Sequence, residues 1–262
     1  MRETTMKGQN HNYSESKRIL QDLGSRDEKT RKAAREQVLQ MGESIVPALI
    51  DATTSPDSNL RWEAVDSLGS IRDLRASAAV LQRVLEDDDV HVRWRSIWAI
   101  TNLDDGNVVP ALLETLNNPD ETVSWNAAVA LSVFDQAEAV PRLLEGLGSQ
   151  NAFQRWEAVN SLGSVYDDET ATALITILEK DDPEIRREAA LSLGRIGDKI
   201  SIQPLLKVLQ EDEDPQVRWR AAMALERIGE PDVVPRLREL METEADQMVK
   251  EHILAAINGL TG

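Results

Sequence analysis

The chain has 262 residues, 41% of them apolar and 29% charged, with a net charge of −17. That balance is that of a folded chain rather than a disordered one. The absence of cysteine excludes disulfides, thiolate catalysis and cysteine-ligated metal clusters, and the acidic excess argues against binding nucleic acid through its phosphates. No run of about 18 apolar residues occurs, so no membrane span is expected. The opening stretch MRETTMKGQNHNY lacks the apolar core of a signal peptide. Together with the lack of cysteine, this suits a cytoplasmic protein whose residues 1–14 form a flexible tail.

From there the sequence repeats itself. In chain order the copies are RKAAREQVLQ at 31–40, RWEAVDSLGS at 61–70, RWRSIWAITN at 93–102 and SWNAAVALSV at 124–133, followed by RWEAVNSLGS at 155–164, RREAALSLGR at 186–195, RWRAAMALER at 218–227 and KEHILAAING at 250–259. The second residues of the six central copies are Trp62, Trp94, Trp125, Trp156, Arg187 and Trp219, spaced by 32, 31, 31, 31 and 32 residues. Four residues before each leading residue stands a helix-capping side chain: Asp27, Asp57, Asp89, Asp120, Asn151, Asp182, Asp214 or Asp246. Asp and Asn accept bonds from the orphan N–H groups of a helix start, so each copy opens a helix of about 12–15 residues. Pro56, Pro119, Pro183 and Pro215, beside those caps, agree with that. Between copies lie second apolar-periodic stretches such as NVVPALLETLN and SIQPLLKVL. The unit is therefore two helices, and the eight units are predicted at about 15–41, 43–71, 73–103, 105–134, 136–165, 167–196, 198–228 and 230–260, in a single all-α repeat domain.

These residues resemble the short HEAT-like repeats named from phycobilisome lyases. The pattern D-x-x-(V/I)-R-x-x-A-A-x-(A/S)-L-G-x-(I/L) is nearly complete in DPEIRREAALSLGRI, residues 182–196. The resemblance covers about residues 15–260 and implies a right-handed α-solenoid. It says little about function, because this repeat serves many tasks.

With the second residue of each copy as position 0, a helical wheel puts the apolar positions −2, +3, +6 and +9, with small residues at +2, on one stripe facing the partner helices. Small residues at +5 and Gly69, Gly163 and Gly194 at +7 predict close helix approach. Positions 0, +1, +4 and +8 point away from that stripe; the resemblance implies that they line a concave groove. They hold all six Trp residues of the chain. The predicted partner-binding set is Trp62, Trp94, Trp98, Trp125, Trp156, Trp219 and Met223 as apolar anchors, with Arg95, Arg187, Arg195, Arg220 and Arg227 as polar selectors. A Trp at position 0 could instead pack on the adjacent repeat. The ladder Arg31, Arg61, Arg93, Arg155, Arg186 and Arg218 is expected to pair with the capping Asp residues, and Ser124 breaks it.

His11, His91 and His252 stand apart, and no Gly-rich phosphate loop or nucleophile elbow occurs. Neither the His-Glu pairs of the HEAT-type deoxyhypusine hydroxylases nor the basic groove of the HEAT-like glycosylases is present. No catalytic residue, metal site or cofactor is assigned. The reading is a non-catalytic protein-binding scaffold; the alternative is a lyase-like subunit handling a bilin, with the groove arginines on its propionates.

Overall fold

The computed structural model describes residues 14–165 and 168–262. Apart from Ser14, the predicted N-terminal tail lies outside them. Every described residue is in helix, turn or coil, with no strand among them. The motif-bearing helices are α2 (Glu28–Met41), α4 (Ser58–Ile71), α6 (Val90–Leu103), α8 (Glu121–Val133), α10 (Ala152–Leu162), α12 (Pro183–Ile196), α14 (Pro215–Ile228) and α16 (Gln247–Thr261). Each follows a companion: α1 (14–23), α3 (Val46–Ala52), α5 (Ser77–Glu86), α7 (Val108–Thr115), α9 (Val140–Gly146), α11 (Asp168–Lys180), α13 (Ile202–Glu211) or α15 (Val234–Thr243). The fold is an all-α solenoid of helix pairs. The chain divides into two compact units, Met1–Ala130 and Leu131–Gly262, with the boundary inside α8.

The capping register forms as the sequence dictates. Asp57 accepts from the Asn59 N–H, Asp89 from His91, Asn151 from Phe153, Asp214 from Gln216, and Asp246 from both Met248 and Val249. Asp182 is the exception: its carboxylate makes no cap bond and instead pairs with Arg155 at 3.0 Å. Pro183 follows it at the first helical position, where its missing N–H leaves one less donor to satisfy.

Within each unit the motif helices stack on one another, α2 on α4 on α6 in the first and α10, α12, α14 and α16 in the second, and all of these but α2 are seen to pack on their companions as well. The apolar stripe is the core: Ile185, Ala189, Ala190, Leu193 and Ile196 of α12 are all buried. Burying each large aliphatic side chain contributes roughly 1.5–3 kcal/mol, so this stripe dominates the stability of a pair. Close stacking rests on the small positions. A Cβ on Gly69 would come within 2.7 Å of Ala99 Cα, one on Gly163 within 2.5 Å of Ser192 Cβ, and one on Gly194 within 2.8 Å of Ala224 Cα. Glycine at +7 thus meets the small residue at +5 of the next motif helix.

The arginine ladder ties consecutive pairs, though mostly not through the caps. Arg61 donates from Nε and Nη2 to Asp87 at 2.8 and 2.7 Å, and its Nη1 donates to the Ser55 carbonyl. Arg155 repeats this with Asp181, Arg186 with Asp212, and Arg218 with Glu244. The acceptor stands one or two residues before the next cap, because the guanidinium reaches the turn entering that helix rather than its first N–H groups. Asn118 occupies the matching place for Arg93, and Ser124, lacking a guanidinium, donates to the Leu116 carbonyl at 2.6 Å.

Candidate interaction face

The predicted face divides into two kinds of position. Residues at +1 were expected to be open, yet Glu63 is only 3% exposed and Asn126 and Glu157 are also buried. A side chain at 100° around the helix points along the stacking direction and is caught against the preceding helix pair. Glu63 receives Nε and Nη2 of Arg35 on α2, and Asn126 donates to the Leu85 carbonyl at 2.8 Å.

In the N-terminal unit, Arg95 shows the same backward reach. Its guanidinium lies 4.7 Å from the Trp62 ring centroid and 4.1 Å from that of Trp98, and it is salt-bridged to Asp66. Cation–π contacts of this kind contribute about 0.5–2 kcal/mol each. The result is a layered Trp62–Arg95–Trp98 stack, with Trp98 outermost at 38% exposure. Gly69 makes room for it, since a Cβ there would lie 2.9 Å from the Trp98 ring. Trp62 also borders a cleft of about 490 Å³ whose other walls include Arg31, Arg35, Asp57 and Glu63. Trp94 is half-buried, edge-on to His91 with centroids 6.0 Å apart. Trp125, predicted to be a groove anchor, is 6% exposed and faces the protein interior.

In the C-terminal unit, Trp156 is half-buried and stacks on Phe153 at 6.0 Å. Trp219 lies between Arg220, 4.0 Å from its centroid, and the His252 ring at 4.6 Å. Arg187 donates to Gln216 and lies 3.6 Å from Glu184. Arg195 extends back to α10, where its Nη atoms donate to Asn160 Oδ1 at 3.1 and 3.0 Å. It also reaches Glu188 at 3.1 Å and Ser192 at 2.7 Å. Burial pulls the Arg195 guanidinium below its ordinary range; Glu188 opposes that and the charge of Arg227 adds to it. Arg220 is shifted the same way, first by burial and then by Arg187, again against Glu188. Met223 is half-buried and Arg227 exposed.

The structure therefore gathers Trp62, Arg95 and Trp98 into one cluster and Arg195, Met223 and Arg227 into another. Sequence reasoning missed Phe153, Gln216 and His252, whereas Asn160 stands at a predicted +4 groove position. Phe153 and His91 precede a position-0 Trp by three residues, a spacing that places side chains on one helix face. His252 at +1 covers Trp219 at position 0 of the preceding motif helix, as Arg95 covers Trp62, so one rule would have found both. Among the described residues, no group of three or more His, Asp or Glu is placed to hold a metal ion, and no helix is long and apolar enough to cross a membrane.

A family model described as HEAT repeats matches residues 16–92, 78–163, 109–185, 143–214 and 171–258. No curated protein sequence matches the chain. Among solved structures it is similar to Kap95p bound to RanGDP, at 16% identity and a TM-score of 0.61 over 92% of this chain and 40% of that one. It is similar to E. coli YibA at 20% identity and a TM-score of 0.57, covering 93% of this chain and 91% of that one. The CpcE–CpcF phycocyanin lyase complex from Nostoc matches at 20% identity, with a TM-score of 0.46 and 94% of each chain covered. At such identities the likeness is one of fold.

Proposed function

The chain belongs to the HEAT-repeat family, and from that premise we propose that it is a non-catalytic scaffold binding a protein partner on the outward face of its motif helices. The observation that carries this reading is the Trp62–Arg95–Trp98 stack. A large aromatic ring stands 38% exposed on a support already fixed by stacking and by Asp66. Tryptophan and arginine are the residues most enriched at binding hot spots, and a ring held in place loses little side-chain entropy on contact. Trp62 and Trp94 extend the face in the N-terminal unit, and Trp156, Trp219, Arg187 and Arg220 make up its counterpart in the C-terminal one; buried Trp125 is set aside as core.

The test places a photo-crosslinking amino acid at position 98 and, as a control, at Leu74, an exposed apolar residue outside the face. A discrete partner is expected to crosslink from position 98 and not from 74. Equal labelling from both would sink the reading. If haem or a bilin instead gives a visible band and quenches the tryptophan emission, chromophore handling takes its place.

A further inference from the structure

Between α12 and α14 the C-terminal unit holds a recess of about 240 Å³, lined by Leu191, Gly194, Arg195, Met223, Ala224 and Arg227. It exists because glycine and alanine meet at its floor, where a Cβ on Gly194 would lie 3.0 Å from that of Ala224; no side chain rises to fill it. Its walls are of two kinds, the aliphatic Leu191 and Met223 and two guanidinium groups. Arg195 is held from behind by Asn160 and Ser192 and paired with Glu188 at 3.1 Å, while its Nε is buried without a hydrogen-bond partner. Arg227 is exposed and makes no salt bridge among the described residues. Two guanidiniums beside one small apolar recess form a ready site for a carboxylate next to an aliphatic group.

We propose that this recess takes an acidic peptide segment of the partner, with a carboxylate between Arg195 and Arg227 and the adjacent aliphatic side chain against Leu191 and Met223. The proposal rests on the scaffold reading and names the chemistry of its partner. Size favours a peptide side chain, since clefts that enclose drug-sized ligands run to about 300–1,000 Å³. Local charge admits it, against the net charge of the chain. A chain of net charge −17 repels acidic segments over most of its surface, so one that binds is directed to the face where Arg187, Arg195, Arg220 and Arg227 gather.

The experiment measures fluorescence polarisation of a fluorescein-labelled peptide, Gly-Ser-Glu-Leu-Glu-Leu-Glu-Ser-Gly, with the full chain. Its Glu→Gln counterpart is the control. Binding of the acidic peptide alone is expected. Arg227→Glu should weaken it at least about tenfold with the melting temperature unchanged, because Arg227 is exposed. Trp98→Ala should leave peptide affinity as it was. Equal binding of both peptides, or an Arg227→Glu variant that binds as well as the native chain, would overturn the proposal. So would biliverdin binding that Arg227→Glu abolishes, since the recess would then serve a tetrapyrrole. Crosslinking at position 98 reports separately: a partner captured there with no peptide binding refutes this inference and leaves the scaffold standing.

Discussion

The two compact units are built from the same repeat but use their arginines differently. In the C-terminal unit, Arg155, Arg186 and Arg218 form three consecutive rungs to Asp181, Asp212 and Glu244. In the N-terminal unit, among the described residues, only Arg61 finds a carboxylate of the next turn, that of Asp87. The outward faces show the reverse. N-terminal Arg95 is enclosed by two rings and a carboxylate, whereas C-terminal Arg227 is left open above an apolar recess. Tryptophan is plentiful on the face that is already satisfied, and the unsatisfied cation lies where tryptophan is scarce. The two proposals thus draw on different features of one repeat, a rigid aromatic anchor in the N-terminal unit and an open cation in the C-terminal one.

The contrast can be broken at its single rung. The Asp87 side chain has no exposure and that of Arg61 only 8%, so Arg61→Ala leaves a buried carboxylate with only Arg83 at 3.4 Å and the Asp89 N–H and should destabilise the N-terminal unit by about 2–3 kcal/mol. Arg186→Ala, whose partner is less enclosed and whose unit retains two rungs, should remove about 1–2 kcal/mol. Urea unfolding with hydrogen exchange resolved over α4–α6 and α12–α14 measures both; an equal or inverted pair of losses would show that rung number does not matter.

Acid should act on the units through different groups. Burial would raise Asp181 and Glu244, but hydrogen bonds from Arg155 and Arg218, backbone N–H groups and the arginine charges hold both below their ordinary range. Their stabilisation is complete above the unfolded-chain values of about 3.9 and 4.3, and is lost as pH falls through the lower folded values. In the N-terminal unit the depressed carboxylates include Asp27 and Asp89, which cap the first turns of their own helices, Asp89 also accepting from Ser58 of α4. Hydrogen exchange between pH 5 and 2.5 should show frayed first turns in the N-terminal unit and separated helix pairs in the C-terminal one. The same pattern in both would remove the distinction.

The smallest effect concerns helix ends. The motif helices α12 and α14 close on Gly197 and Gly229 at φ 74° and 80°, whereas α4 closes on Arg72 at φ 62°. A side chain in that region costs about 1–2 kcal/mol. Arg72→Gly should therefore stabilise the N-terminal unit by up to about 1 kcal/mol, the added freedom of the unfolded chain offsetting part of the gain. A lower thermal midpoint would contradict this.

The fold was legible because capping, apolar period and small-residue positions are local patterns that recur at a fixed interval. Even Ser192 at +5 and Gly163 at +7 could be assigned to the same seam without coordinates. The interaction face was legible only in part. A wheel treats one helix, and it placed Glu63 and Trp125 outward because it cannot show what the rest of the fold lays over them, in the case of Glu63 the Arg35 of α2. The choice of Asp87 and Glu244 over the caps was likewise hidden, since it depends on the path of the intervening turn. The recess was half visible. Its arginines were picked out, but the void comes from Gly194 and Ala224, which the sequence marks only as close packing.

The seam also carries an assembly rule. Gly69, Gly163 and Gly194 accept only a follower with Ala or Ser at +5, and the motif helices from α4 onward all carry one: Ser67, Ala99, Ala130, Ser161, Ser192, Ala224 and Ala256. The first, α2, has Gln37 there, which instead receives Arg18 at 3.0 Å. By this rule a copy of α2 cannot follow a glycine-bearing pair, whereas any pair from the second onward can, so the seam restricts which helix pairs can be exchanged for which.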